Sequence, residues 1–341
     1  MIGGVLRVAE VVSITNGTLL NTPSITAFAG ITLELDSLKH GWLFIARNHA
    51  DIESALAKGA YGVISKSPVE IKESEIAYIE VRDIEDAIAR LIRYKILFFS
   101  TSVIALNLAQ LLIAKEIITD ASIFVGDCKN TLLESFNQEI RVIFTNSDEI
   151  LTLSFHSLQA LKPLDMPFSL ITYTLFDMRL SYNSRAYFLH LPYFFINDLS
   201  SLVCICEQEH VLFDFTRFHR IQLLRPIFID EFSHICEYGQ SQQVLITQQD
   251  CVLFASFVRY FLEYAKWGKL VCMLPKSHKL ETLDSIKDLE ILFYEQTNDI
   301  LDCVMETNFN FMLIFGIDDS RLYTLLQNHG AKNQPSLFDN L

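Results

Sequence analysis

Between Asp127 and Tyr238 the chain contains no glycine, and the span from 96 to 230 contains one, Gly126. Glycine is the residue that reaches positive φ without strain and lets backbone amides converge closely on an anion. A stretch of this length without it cannot easily build a phosphate-cradling loop. Its turns must be made by residues that carry side chains. The same stretch is rich in Phe, Leu and Ile. Half of all residues are hydrophobic and a fifth are charged, so the chain has material for real cores and is not of the disordered class.

On either side of this span, helix and strand patterns alternate, which indicates an α/β protein. Val5–Val12, Thr18–Leu20 and Trp42–Ala46 read as strands. Asp51–Lys58 reads as a short helix stopped by Gly59. The runs "YGVIS" and "IAYIEV" read as strands. Ile84, Ile88, Leu91, Ile92 and Lys95 then mark one stripe of a helix. Near the C-terminus, "QVLIT", "KLVCML", "LEILFY" and "NFMLIF" read as strands. An amphipathic helix follows Asp250, and another spans Ser320 to Gln327. The polar end is expected to be mobile. The resulting division is 1–95, 96–230, 231–325 and a tail, 326–341.

At 341 residues the chain is long enough for two or three domains. A formal net charge of −14 repels phosphate backbones and anionic headgroups, so direct nucleic-acid binding is not expected. The one dense basic stretch, Arg217, His219, Arg220 and Arg225, follows Glu207, Glu209 and Asp214 and reads as a solvated face. The seven cysteines are an odd number, scattered in apolar runs, which suits a reducing cytoplasm. No signal peptide is expected from "MIGGVLRVAEVV". The uncharged run Ile96–Ala114 approaches a bilayer span in length. Ser100, Thr101, Ser102, Asn107 and Gln110 interrupt it, so a buried strand leading into a buried helix is expected and a transmembrane span is not.

Several patches, in order, resemble the Mur ligases. The similarity is closest to their UDP-N-acetylmuramoyl-tripeptide–D-alanyl-D-alanine ligases. In "HGWLFIA" and "ALAKGAYGVIS", the residues Gly41, Leu43, Phe44, Ala46, Ala57, Gly59, Ala60, Val63 and Ile64 fit the N-terminal pattern. "LPYFFINDLSSLV" resembles the family's His-Asn-x-x-Asn helix through Asn197 and Leu199. "NFMLIFGIDDSRLYTLL" resembles its last strand-turn-helix through Leu313, Gly316, Arg321 and Leu325. The resemblance implies a three-domain Mur-ligase-like α/β architecture with a shortened central domain.

The departures fall where that family handles substrate and nucleotide. Glu34, Leu35 and Asp36 stand where it has Asp-Ser-Arg, although Asp36-Ser37 mimics the pair two residues later. Its Gly-Glu-x-x-Asp-Gly-His loop is missing, and Arg47, Asn48 and His49 run straight into a helix. Gly-x-x-Gly-Lys-Thr has no counterpart after either "SVIAL" or "ILFFS", and Lys115 comes too late. "TQQDCVLF" replaces Asp-Asp-x-Tyr-Asn-Ala-Asn-Pro, and Phe315 replaces the Lys before Gly316. The resemblance with these losses implies no cofactor and no catalytic residue. It points to a degenerate relative serving peptidoglycan precursor synthesis, as a non-catalytic binding or scaffold protein with a protein partner or cell-wall precursor. The alternative is an active ATP-dependent amide ligase with an unconventional nucleotide site.

Other constellations read as structural. Cys206 and His210 share a helix face, but Cys204 points elsewhere and no fourth ligand is near, so no metal site is expected. His190, His210, His219 and His234 read as structural or surface residues, and Asp318-Asp319 and Asp230-Glu231 as caps or turns. The tail pentapeptide "QPSLF" resembles the bacterial sliding-clamp-binding motif. It makes Gln334, Leu337 and Phe338 candidate partner-binding residues of an interaction module, a third functional reading.

Overall fold

In a computed structural model of the chain, residues 6–277, 286 and 289–333 are described. The chain divides into two compact units. One is Met1–Pro167 with Asp198–Phe218, the other Phe168–Asn197 with His219–Leu341.

The first unit begins with β1 (Leu6–Arg7) and α1 (Val8–Thr15). The sequence expectation of a strand over Val5–Val12 is therefore corrected: only two of its described residues are extended. Val, with its branched Cβ, favours strands by propensity, but tertiary context overrides that preference. Val8, Val11 and Thr15 are buried at helical spacing, and the Glu10 carboxylate accepts the Arg7 N–H at 3.1 Å to close the first turn. Then follow β2 (Thr18–Leu19), β3 (Ala27–Phe28), β4 (Ile31–Thr32), β5 (Leu43–Ile45), α2 (Asp51–Ala57), β6 (Gly62–Ser65), β7 (Ala77–Glu80) and α3 (Ile84–Phe99). β2-β7-β6-β5-β4 form one sheet, with β2 antiparallel and the rest parallel. Gly59, at φ +87, ends α2 as expected.

A second, all-parallel sheet contains β8 (Ser102–Ala105), β9 (Ile123–Val125), β10 (Val142–Thr145) and β11 (Ser157–Gln159), in the order β11-β8-β10-β9. Its connecting helices are α4 (Leu108–Ile117), α5 (Lys129–Ser135) and α6 (Asp148–Leu151). The uncharged run Ile96–Ala114 is thus the end of α3, all of β8 and most of α4. Among the described residues no helix is long and apolar enough to cross a membrane.

The second unit holds an antiparallel sheet of β12 (Ser169–Tyr173), β13 (Met178–Tyr182) and β14 (Arg185–Leu189). After it the chain runs through α7 (Ile196–Gln208), whose residues from Asp198 onward belong to the first unit. The second unit continues with β15 (Ile227–Ile229), β16 (Gln243–Gln248), α8 (Cys251–Tyr264), β17 (Leu270–Pro275), β18 (Glu290–Tyr294), α9 (Asp299–Glu306), β19 (Phe311–Phe315) and α10 (Asp319–Asn333). Its five-stranded sheet has the order β15-β16-β19-β17-β18, parallel except for β15. α10 runs to Asn333, so residues 328–333, expected in a mobile tail, are helical.

The missing glycines leave a physical trace. The β13–β14 hairpin turns through Asn183 and Ser184, both at positive φ (48° and 63°), and His210 (53°) and Ser233 (63°) are strained in the same sense. Two-residue hairpin loops of this kind favour Asn-Gly. Ser184→Gly is expected to raise stability by about 1 kcal/mol by relieving the Cβ clash, read as a higher urea midpoint.

α3 shows the predicted stripe, with Ile84, Ile88, Leu91 and Ile92 buried in a core that also takes in Leu132 and Ile143. Lys95 continues the stripe and is only 3% exposed. Burial lowers its ammonium pKa to about 8, opposed by the Glu10 charge, and its Nζ lies 5.4 Å from the Phe99 ring centre. The folded state therefore loses this proton at lower pH than the unfolded chain. Below about pH 8 both states are protonated and the full penalty is present; between there and the unfolded value stability rises with pH. Lys95→Met is expected to raise stability at pH 7 by on the order of 2–3 kcal/mol, and the gap to wild type should shrink as pH climbs toward 10 (chemical denaturation of both proteins at each pH).

Candidate functional site

In an open parallel sheet, ligands bind where neighbouring strands send their helices to opposite faces. In the first unit that point lies between β8 and β10. Val103 and Ile143 face the core shared with α5 and α6, whereas α4 packs on β9 and β10 and its buried residues lie outside that core. The junction from β8 to α4 is two residues long. Leu106 is buried, and its N–H donates to the Thr145 carbonyl at 2.8 Å. Asn107 is the N-cap: its Oδ1 accepts the Gln110 N–H at 2.9 Å, and the Gln110 Oε1 accepts the Asn107 N–H at 2.9 Å. This reciprocal box engages the Asn107 and Gln110 amides, two of those an anion would otherwise take.

The Asn107 amide is itself held, donating from Nδ2 to Asp198 Oδ1 at 2.6 Å. Asp198 is on α7, between Asn197 and Leu199. Burial raises its pKa above the ordinary carboxylate value, and the hydrogen bond from Asn107 works against that rise. The helix end that would face a phosphate thus faces a carboxylate. On the neighbouring strand Thr145 Oγ1 accepts the Ser147 N–H at 3.1 Å, and Ser147 Oγ caps α6 at 3.4 Å. Both helix starts at the switch point are closed by the chain's own side chains.

The second unit repeats this at the ends of β16 and β19. "TQQD" leaves β16 with the Gln248 Oε1 accepting the N–H groups of Gln249 (2.8 Å) and Asp250 (2.9 Å). Asp250 Oδ1 accepts from Val252 and Leu253 at 2.8 Å and caps α8. Asp318 accepts the Arg321 N–H at 2.8 Å, and Thr247 donates its hydroxyl to Asp319. Asp230 likewise accepts the Phe232 and His234 N–H groups, so Asp318 and Asp230, one member of each carboxylate pair, serve as cap and turn. The crevice here, about 260 Å³, has Asp318 and Asp319 in its wall, and burial raises the Asp319 pKa. In the N-terminal sheet, β5 passes to α2 through five residues, and Arg47 turns away to Glu85 (2.6 Å) and Asn130 (2.9 Å).

A cavity of about 470 Å³ lies in the second unit, walled in part by the β12–β13 turn. Phe176, Phe228, Tyr260 and Phe311 form buried walls, while Tyr173, Tyr264 and Trp267 stand exposed around it. Asp177, 9% exposed, accepts from Tyr238 Oη at 2.5 Å and pairs with His190 Nδ1 at 2.7 Å. Burial, then the hydrogen bond to that carboxylate, raises the Tyr238 pKa; burial also raises that of Tyr260. Sequence reading placed His190 among structural residues and did not assemble this site. Its members come from β12 and the turn after it, β15, the β15–β16 connection, β16, α8 and β19, and the high aromatic content of the chain was the one available signal.

Gln334, Leu337 and Phe338 lie outside the described residues. Cys206 is buried, its thiol pushed up to about 12 by burial, and His210 follows α7 at positive φ. Among the described residues no group of three His, Cys, Asp or Glu is placed to hold a metal ion. The expectation that the cysteines sit in apolar surroundings fails for Cys128 and Cys251, which are exposed at the starts of α5 and α8, where a helix end rather than a strand runs past them.

No protein-family model and no curated protein matches the sequence. Solved structures do match the fold. MurF from Acinetobacter baumannii aligns over 96% of this chain and 100% of its own, with a TM-score of 0.56 at 12% identity. MurF ligase from Thermotoga maritima, in complex with ADP, aligns over 89% and 97%, with a TM-score of 0.51 at 10% identity. UDP-N-acetylmuramoylalanyl-D-glutamyl-2,6-diaminopimelate–D-alanyl-D-alanyl ligase from Acinetobacter baumannii aligns over 97% and 99%, with a TM-score of 0.52 at 12% identity. The chain has a Mur-ligase-like α/β fold.

The capping box makes a prediction. Asn107→Ala is expected to cost about 1–2 kcal/mol through the lost cap. Asn107→Asp keeps a cap but sets a second carboxylate against Asp198, so its deficit should grow as pH rises from 4 to 7. A pH-independent deficit in denaturation experiments would contradict the assigned contact.

Proposed function

We propose that this chain is a degenerate Mur-ligase relative that binds without ligating, a binding or scaffold protein of peptidoglycan precursor synthesis in the cytoplasm. The fold likeness supports the kinship, and the β8–α4 junction carries the non-catalytic part. Phosphoryl transfer depends on positioned cations and backbone amides around the transferring charge. The Thermotoga maritima MurF structure contains ADP; if "SVIAL" is the strand that precedes the phosphate loop in such a ligase, that loop corresponds to this junction. Here its amides are engaged by Asn107 and Gln110, and Asp198 adds negative charge. The glycine-free span supplies no loop to take over that role. The division at 95, 230 and 325 then describes the descent of the segments, whereas the two compact units describe how they pack.

Titration calorimetry with magnesium-ATP tests this. No saturable heat is expected at millimolar nucleotide, and no phosphate release when a UDP-muramoyl peptide and D-alanyl-D-alanine are supplied together. Saturable ATP binding, or phosphate release that needs both substrates, would favour an active amide ligase with an unconventional nucleotide site and end the non-catalytic reading.

A further inference from the structure

We propose that the aromatic cavity of the second unit is a binding site for an organic cation, an amine or quaternary ammonium with small apolar substituents. This does not depend on the functional reading above, since every lining residue lies outside the β8–α4 junction.

Three observations carry it. The first is the wall itself. Eight of its fifteen lining residues are aromatic, none is Lys, Arg or His, and Asp177 is the one carboxylate. Aromatic faces present negative potential, which attracts a cation within about 6 Å of a ring centre. A phosphate or carboxylate ligand would meet the Asp177 charge and the negative ring faces with no cationic side chain in the lining.

The second is the state of the hydroxyl groups. Tyr238 donates to Asp177, Tyr260 donates to the Leu175 carbonyl at 3.0 Å, and Ser241 donates to the Ile229 carbonyl. Their protons are directed into the protein, so what these groups offer the cavity is oxygen lone pairs. Among the lining side chains the donors left are the Tyr173 hydroxyl, the Gln242 amide and the Trp267 indole, all on exposed residues. A sugar needs both donors and acceptors from a wall, whereas a cation needs acceptors and π faces.

The third is the exposed ring set. Tyr173 and Tyr264 meet edge to face, at 78° with centroids 6.5 Å apart, and Tyr193 stacks behind Tyr173 at 3.9 Å. Trp267 is 69% exposed and Tyr173 48%. Large rings held beside a cavity yet left in water are a feature of binding surfaces. A cation already uses one ring of the wall: the Arg220 guanidinium lies 5.2 Å from the Tyr238 ring centre. Arg220, lying over Tyr238, partly offsets the Asp177 charge, so the rings supply much of the selectivity. A cavity of about 470 Å³ suits a small ligand.

The test uses the full chain, with choline as the cationic probe and 3,3-dimethyl-1-butanol as its uncharged isostere, followed by calorimetry. Choline is expected to bind saturably and the isostere about tenfold more weakly, the factor that one cation–π contact supplies. Trp267→Ala and Tyr264→Leu should each weaken choline about tenfold with unchanged thermal melting, since both side chains are substantially exposed. Trp267→Phe should recover most of the affinity. Equal binding of choline and the isostere would reduce the site to a hydrophobic cavity and overturn the proposal. So would the absence of choline binding to a folded protein, or displacement of choline by N-acetylglucosamine at similar concentration.

Discussion

A helix that starts at the switch point of a parallel sheet has backbone N–H groups with no partner inside the helix. Burial makes leaving them unpaired expensive, on the order of 1–3 kcal/mol each. Two solutions exist: a bound anion, or the chain's own side chains. This molecule takes the second at β8–α4, where Asn107 and Gln110 cap each other and Asp198 holds Asn107 in place. The choice couples stability to specificity. A junction satisfied internally needs no ligand to be stable, and the carboxylate that orients its cap disfavours the anion that could compete for it.

The second unit applies the same logic with different residues. Gln248 and Asp250 satisfy N–H groups at the start of α8, Asp318 accepts the Arg321 N–H at the start of α10, and the Thr247 hydroxyl holds the Asp319 carboxylate. Two sheets therefore have their ligand-facing strand ends closed by polar side chains, several of them acidic. A chain of net charge −14 distributes much of that charge widely, but these residues place it where phosphate would dock. At β8–α4 the arrangement is consistent across levels: no glycine for a cradle, a two-residue junction, and a cap formed by the chain itself.

Much of this was legible from the sequence because it rests on local patterns. The runs Leu43–Ile45, Gly62–Ser65, Gln243–Gln248 and Phe311–Phe315 are strands because short apolar segments between turn signals have few alternatives. Asp250 was readable as the start of a helix. The expectation that no phosphate cradle forms rests on missing glycines. The Asn107–Asp198 contact was not readable, because the two residues lie 91 positions apart and their contact depends on tertiary packing. α1 was missed because three valines spoke for a strand while the Glu10 contact and packing against α3 decided for a helix. The β13–β14 hairpin lacked its usual sign, since Asn183 and Ser184 take positive φ without a glycine.

The aromatic cavity escaped the sequence for a further reason. Phe and Tyr are counted first as core, and most here are core: Phe254, Phe257 and Phe261 lie on the buried face of α8. What distinguishes Tyr173, Tyr264 and Trp267 is exposure beside a void, a property that appears only when separate segments meet. The contrast between the two kinds of site has one physical root. At the strand ends, polar side chains turn inward to satisfy backbone amides and leave acidic surfaces that exclude anions. Around the cavity, hydroxyl protons also turn inward, toward Asp177 and backbone carbonyls, and leave lone pairs and π faces directed at the space. In both places the chain has satisfied its donors internally, so the surfaces it offers a ligand are electron-rich. The strand ends and the aromatic cavity thus present surfaces better matched to positive charge than to negative.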